Sequence, residues 1–405
     1  MRYLFVHQNF PGQYLHVVRH LLEDKTNEIV FLSEPNANTL PGVRRVVYQK
    51  PTPAPGAHPH IRDLDAAMRR AEVAAGLARN LRGLGFTPDI IIGHHGWGEM
   101  LDLVDVWPGT PMLGYFEFYY QTNGQDVGFD AEFPVDTAHH PRIRAMNSIN
   151  LLALALHQHG QTPTGWQRSR YPDWAQRQIA LVPEGARLDV CRPDPTLREQ
   201  PFALGSFAVQ PGEKLVSYVS RNLEPYRGFH VMMRALPALL KARPDVKVVL
   251  VGGDEVSYGA RLEHTTWRAH FQRELAGKYD TSRVLLPGQL TYPDYLRLLQ
   301  RSDAHVYLTY PFVASWSLRE ALACGCAVVA ADVDPVREFI THDRNALLTP
   351  ALDSAALART VLEVLEDDRL SRRIRTGARR HAELHLDMQD HIAAFTARVA
   401  ELTGG

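Results

Sequence analysis

The sequence predicts an α/β protein made of two Rossmann-like, doubly wound parallel-sheet domains. Three observations carry this. Short apolar runs of strand type alternate along the chain with segments of helical period. Several runs, with VKVVLVGG (Val246–Gly253) foremost, are almost continuously apolar, as strands covered by helices on both faces must be. The alternation also occurs twice, interrupted by Cys191–Gln210, which is Pro-rich, polar and without clear period.

In the first half the strand candidates are Tyr3–Val6, Glu28–Leu32, Asp89–Ile92, Pro111–Tyr115 and Ile179–Val182. Helical stretches between them include Gln13–Leu22 and the Arg-rich Ile61–Arg82. The second half repeats the scheme with Lys214–Val219, Lys247–Val251, Arg283–Leu286, Ala304–Leu308 and Ala327–Ala330. Strand–helix–strand repetition implies right-handed crossovers. The expected division is a domain over 1–200, a domain over 201–386, and a terminal helix over 387–405 that packs back on the first domain. Ligands of such folds bind at the carboxyl ends of strands, so a cleft with the two domains facing each other is the expected site.

Composition narrows the function classes. The 405 residues correspond to two good-sized domains or three small ones at about 150 residues each. A net charge of −1 argues against bulk electrostatic binding of nucleic acid. Hydrophobic residues at 45% and charged ones at 22% exclude a disordered chain. Three cysteines (Cys191, Cys324, Cys326) make no disulfide framework and fit a reducing compartment. No apolar run approaches the roughly 20 residues of a membrane span, and the opening YLFVHQ lacks the regions of a signal peptide. These features predict a soluble, cytoplasmic protein. Arg69, Arg70, Arg79 and Arg82, on one helix-period stretch, leave two readings: a solvated surface helix, or peripheral contact with the inner membrane face.

Several catalytic motifs are absent: GxxxxGK[ST], GxGxxG after the first strand, and GxSxG. Cys324 and Cys326 are too close for a CxxC pair and read as core residues. The pairs His58/His60, His94/His95, His139/His140 and His157/His159 lack HExxH spacing. Neither a metal nor a cofactor is expected.

Four signals remain, all in loops after strands. Arg221 and Arg227 bracket a turn after KLVSYVS, where two guanidiniums can converge on one anion; an Arg–Glu224 ion pair is the competing reading. Ser315, Trp316, Ser317 and Leu318 stand at the start of an alanine-rich helix, where free amides and the helix dipole favour pyrophosphate. Glu320, in the first turn, either caps that helix or accepts hydrogen bonds from a ribose diol. VGGD, with Gly253, and LPGQL, with Gly288, Gln289 and Leu290, let a flat ligand approach the backbone. In the first domain, Gly12 opens the first helix. GHHGWGEM and GYFEFYY present His94, His95, Glu117, Tyr119 and Tyr120, equipment for gripping a sugar.

In order, SR then YRG, VGGD, LPGQLTYPDYLRLLQRSDAHVYLTYP and SWSLREALACGCAVVAADVDPVREFI resemble the retaining glycosyltransferases of family 4, which have the GT-B fold. The resemblance covers nearly the whole chain and is strongest from Val216 to about Leu348. It implies an acceptor-side first domain and a donor-binding second one. Arg221 and Arg227 would hold the diphosphate of a UDP- or GDP-linked hexose, and Glu320 the ribose. Amides near Ser317 and Leu318 would bind the distal phosphate, and Gly288–Leu290 would lie against the base. The implied reaction is metal-independent transfer to an acceptor hydroxyl, in polysaccharide, glycolipid or small-metabolite glycoside synthesis.

Two departures stand out. The family often carries two glutamates with seven residues between them; Glu320 matches the second, but Phe312 occupies the first position. Many relatives place a histidine where aligning PMLGYFEF puts Glu117. Glu117 is therefore either a displaced acidic partner of the sugar or a structural carboxylate. Rival readings are a nucleotide-sugar-binding pseudo-enzyme or pathway scaffold, supported by Phe312, and a sugar-nucleotide epimerase of the same architecture.

Overall fold

Seven parallel strands form the first sheet, in the order β3-β2-β1-β4-β5-β6-β7. They are β1 (Arg2–Val6), β2 (Glu28–Ser33), β3 (Val43–Val47), β4 (Ile90–His94), β5 (Met112–Tyr115), β6 (His159–Thr162) and β7 (Ile179–Leu181). The computed structural model describes residues 1–52, 54–156 and 158–404; His157, of the His157/His159 pair, lies outside them. Side chains of β1 alternate between two cores, as the two-residue period of a strand requires. Tyr3 and Phe5 join Tyr14, Val17, Val18 and Phe31, while Leu4 and Val6 join Ala74, Ala75 and Ala78 of the helix Arg62–Gly83.

The strands β3 and β6 were not expected. β3 is a half-exposed edge (VRRVV) and β6 is short and polar (HGQT), so neither shows an apolar run. The helix Met388–Thr403 inserts Phe395 and Val399 into the cluster around Val17, Val18 and Leu21. Each such buried side chain is worth roughly 1.5–3 kcal/mol.

The second sheet has the order β12-β11-β10-β13-β14-β15, also parallel. Its strands are β10 (Lys214–Asn222), β11 (Val246–Gly253), β12 (Val284–Gly288), β13 (Ala304–Tyr307), β14 (Val328–Ala331) and β15 (Leu347–Thr349). Before it, β8 (Phe202–Leu204) and β9 (Phe207–Val209) make an antiparallel hairpin. Phe202 and Val209 are buried against Leu215, Val249 and Leu298, so the end of the Pro-rich stretch is anchored rather than free linker.

Two compact units result: Met1–Glu184 with Met388–Gly405, and Gly185–Asp387. The division falls ahead of position 200 because residues after Glu184 are tied to the second unit. Ala186 bridges to Asp387, and the Cys191 carbonyl accepts a hydrogen bond from Arg379.

The Arg-rich helix does not present four free arginines. Arg70 is buried beside Glu34 and Glu99, Arg69 pairs with Asp65, and Arg82 donates to the Val106 carbonyl. Arg70 is thereby withdrawn from the set of surface cations, while Arg79 and Arg82 stay exposed. Among the described residues no helix is long and apolar enough to cross a membrane.

Candidate functional site

In the second unit, the residues after β10 build an aromatic-walled corner. Glu224 is fully buried and unconnected to either neighbouring arginine's ion pairing; its carboxylate accepts the backbone N–H groups of Ser257 (2.9 Å), Tyr258 (3.2 Å) and Gly259 (2.9 Å). Asn222 adds a bond from Nδ2 to Ser257 Oγ at 2.7 Å. The loop after β11 is thereby held, and it sets Tyr258 over the Arg227 guanidinium, 4.9 Å from ring centroid to Cζ. Phe312 covers Arg227 as well, at 5.6 Å, and lies 4.8 Å from Tyr258.

Arg227 is only 8% exposed, and its Nη1 donates to Thr309 Oγ1 (2.9 Å) and the Val313 carbonyl (3.1 Å). Arg221, at the end of β10, is exposed and has no side-chain partner among the described residues. The two arginines are therefore unlike: one a caged cation bracing loops, the other open to a ligand. The expected Arg–Glu224 pair does not form, because backbone amides occupy that carboxylate. The ring of Phe312 explains how the chain accommodates an arginine without a carboxylate at 312, since an aromatic face also stabilises a guanidinium.

The helix Trp316–Ala323 follows β13. At its start the Ser315 amide donates to Tyr307 Oη (2.8 Å), and the Ser315 and Ser317 hydroxyls bond each other at 2.6 Å. Leu318 is a core residue whose amide already donates to the Ser315 carbonyl at 3.2 Å. Trp316 is 39% exposed. Glu320 does not cap the helix. Its Oε1 accepts from Tyr292 Oη (2.8 Å) and its Oε2 from Tyr295 Oη (2.7 Å). Burial raises its pKa above the usual carboxylate range, and the two phenols pull in the opposite direction. Sequence reasoning missed this pair of tyrosines. Their signal was the Tyr-x-x-Tyr spacing of TYPDY, which places both on one face of the helix Tyr292–Arg301.

Arg268 secures the ends of β11 and β12: its guanidinium donates to the carbonyls of Gly252 (3.2 Å) and Leu286 (3.3 Å) and pairs with Asp254 (2.7 Å). At Gly253 a Cβ would stand 2.5 Å from Asn222 Oδ1, so a side chain there would displace the Asn222 amide. Gly288 has φ +81° with open space around it, Gln289 is exposed and Leu290 half-buried.

In the first unit, β1 and β4 end side by side. His94 Nδ1 accepts the Gly96 N–H at 2.9 Å, so the neutral ring carries its proton on Nε2 and donates it to Glu117 Oε2 at 3.2 Å. Trp97 stacks beside His94 at 6.0 Å, and His7, at the end of β1, lies edge-on at 5.5 Å. Gly12 has φ +56°, and a Cβ there would meet the His7 ring at 3.0 Å. His7, Gly12, His94 and Glu117 thus form one group; His7 was not singled out from sequence, because an isolated His after a strand carries no motif.

His95 is a correction to the sugar-gripping set. It is 0% exposed, its ring centroid lies 4.6 Å from that of Phe116, and burial drops its pKa to about 3. Tyr119 is half-buried against Tyr171 (5.1 Å), and the Tyr120 amide donates to Asn147 Oδ1 at 2.8 Å.

Two parallel-sheet α/β units, with polar groups gathered at strand ends in each, define the class: this is the architecture of GT-B glycosyltransferases. The chain belongs to the family 4 glycosyltransferases: the model of the glycosyl transferase family 4 group matches residues 25–191, and that of glycosyl transferases group 1 matches residues 205–381.

Among its relatives, phosphatidyl-myo-inositol mannosyltransferase of Mycolicibacterium smegmatis is 31% identical over 199 residues, covering 47% of this chain and 46% of the relative. D-inositol 3-phosphate glycosyltransferase of Streptomyces avermitilis is 29% identical over 221 residues, 53% of this chain and 45% of the relative. The chain thus spans a little under half the length of these relatives. Sucrose-phosphate synthase of Thermosynechococcus elongatus shares the fold with a TM-score of 0.71 at 17% identity, over 100% of this chain and 99% of the other. The Anabaena protein HepE in complex with UDP does so at 0.69 and 16%, over 99% and 100%.

Proposed function

We propose that this glycosyltransferase moves a hexose from a UDP- or GDP-linked donor to an acceptor hydroxyl, with retained anomeric configuration and without a metal ion. The observation that carries this reading is the second unit's loop set: the open Arg221 after β10, the caged Arg227 in the next turn, and Ser315, Ser317 and Glu320 on the helix after β13.

In this reading Arg221 binds the donor diphosphate and, with Arg227 and the helix end, meets the negative charge that grows on the leaving group. Charge stabilisation aimed at the departing phosphate accelerates the step rather than only tightening binding. Glu320, oriented by Tyr292 and Tyr295, accepts from the ribose hydroxyls. The loop Gly288–Leu290, with Gly253, lies against the base. The departing phosphate takes the acceptor proton, so the mechanism assigns no side chain as general base. Glu117 and its donor His94, with Gly12 nearby, serve the transferred sugar or the acceptor. The activities named for the two inositol-directed relatives support a hydroxyl-rich or lipid-linked acceptor.

The test is a thermal-shift panel against UDP, GDP, ADP, CMP and dTDP with their sugar conjugates, since ligand binding raises the melting temperature by mass action. Transfer assays with the stabilising donor follow, with the anomeric configuration of the product read by NMR. One responding nucleotide and a retained anomer support the reading. A folded protein that answers none favours the pathway-scaffold reading, and an inverted product overturns the retaining mechanism.

A further inference from the structure

On the second unit, a cavity of about 570 Å³ lies between the residues before the β8–β9 hairpin, the C-terminal end of the helix Trp316–Ala323, and the helix Asp368–His385. Four arginines line it: Arg198, Arg375, Arg379 and Arg380. Two are built into its wall. Arg375 donates to the Ser302 and Asp303 carbonyls at 2.8 and 2.6 Å, and Arg379 to the carbonyls of Cys191 and Ala323, both at 2.9 Å.

The other two are uncommitted. Neither Arg198 nor Arg380 has a side-chain partner among the described residues, and Arg198 Nε is buried without one. The two lining carboxylates leave the cavity with a surplus of positive charge, four guanidiniums against two carboxylates. Glu383 pairs with Arg379 at 2.7 Å, and Asp194 is bonded to the amide (3.1 Å) and hydroxyl (2.6 Å) of Thr196. Burial foremost, and then the neighbouring charge of Arg198, lower the pKa of Arg375 to about 10.

The geometry points to a binding site for a small phosphate monoester, of the size of a hexose phosphate, held by Arg198 and Arg380 against the wall formed by Arg375 and Arg379. An excess of guanidinium in a partly enclosed space is relieved by an anion. The planar fork of arginine matches phosphate oxygens two at a time, and the volume falls in the usual range of small-molecule pockets. The lining includes none of Arg221, Arg227, Ser315, Ser317 and Glu320, and the proposal does not rest on the proposed transfer reaction.

The experiment is isothermal titration of the full chain with glucose 6-phosphate as the probe, at constant ionic strength. Wild-type protein binds it, and Arg198→Gln and Arg380→Gln each weaken binding at least tenfold, while Arg221→Gln leaves the affinity unchanged. Absence of binding to wild type overturns the proposal. So does a probe whose binding is lost in Arg221→Gln and kept in the other two, since it then binds the loop after β10. Circular dichroism checks folding; Arg380 is exposed, so its variant remains decisive if Arg198→Gln does not fold.

Discussion

Tyr295 and Glu320 stand on different helices and meet through a single hydrogen bond, Tyr295 Oη to Glu320 Oε2 at 2.7 Å. That bond opposes the upward pull of burial on the carboxyl pKa. Tyr295→Phe removes a charge-assisted bond and is expected to cost about 1.5–3 kcal/mol at neutral pH. A carboxyl whose folded pKa is raised contributes stability below its unfolded pKa that is lost as pH rises through the folded one. The variant raises that pKa further, so its deficit is small near pH 4 and larger at pH 8. Urea unfolding at both pH values checks this, and an equal deficit at the two would contradict it.

Glu224→Gln tests the loop support. The amide oxygen replaces one carboxylate oxygen, but the new NH₂ faces backbone donors where Ser257, Tyr258 and Gly259 now point. A loss of about 1–3 kcal/mol is expected from the unsatisfied groups. Freeing Tyr258 also uncovers Arg227, so donor affinity falls with stability. A variant with wild-type stability and affinity would show that the loop holds itself.

Arg221→Ala separates binding from folding. Because the side chain is exposed and unpartnered among the described residues, stability is expected to change by less than about 0.5 kcal/mol. The ratio kcat/KM for transfer is expected to fall about 100-fold or more. Steady-state kinetics beside a melting curve make the comparison; unaltered kinetics would remove Arg221 from the mechanism.

Glu117→Gln keeps an oxygen for the His94 Nε2 proton while discarding the charge. Transfer is expected to drop sharply, by at least tenfold, with folding intact. Near-wild-type rates would make Glu117 a structural carboxylate.

His95 gives a pH signature. Its folded pKa of about 3 lies below the unfolded value of 6.5, so the unfolded chain takes up a proton that the folded one refuses. Stability from this group is complete above pH 6.5 and falls by about 1.4 kcal/mol per pH unit as pH drops toward 3. His95→Gln is expected to flatten that slope. Denaturation midpoints at pH 7, 6 and 5 for both proteins measure it, and parallel slopes would refute the assignment.

Local lettering was sufficient wherever a strand is buried on both faces. VKVVLVGG and the segments around Tyr3 and Ile90 read as parallel strands because no face needs polar residues, and the segments at the ends of β10, β13 and β5 supplied Arg221, Glu320 and Glu117 as candidates. The edge strand β3 and the polar β6 escaped notice because pairing with a neighbour, not hydrophobicity, makes them strands. The order of residues in the chain also determined that Phe312 stands where family members often carry glutamate.

Partnership between distant residues was decided only by the tertiary structure. Sequence spacing made Arg221 and Arg227 equivalent; packing caged one beneath Tyr258 and Phe312 and left the other open. It joined Glu224 to backbone some 35 residues away and Glu320 to Tyr295 across 25, and it buried His95 while leaving its neighbour His94 bonded to Glu117. The physical reason is common to all of these: exposure and hydrogen-bond partners depend on which surfaces the chain brings together in space, and a residue's letters record only what it can offer once it is there.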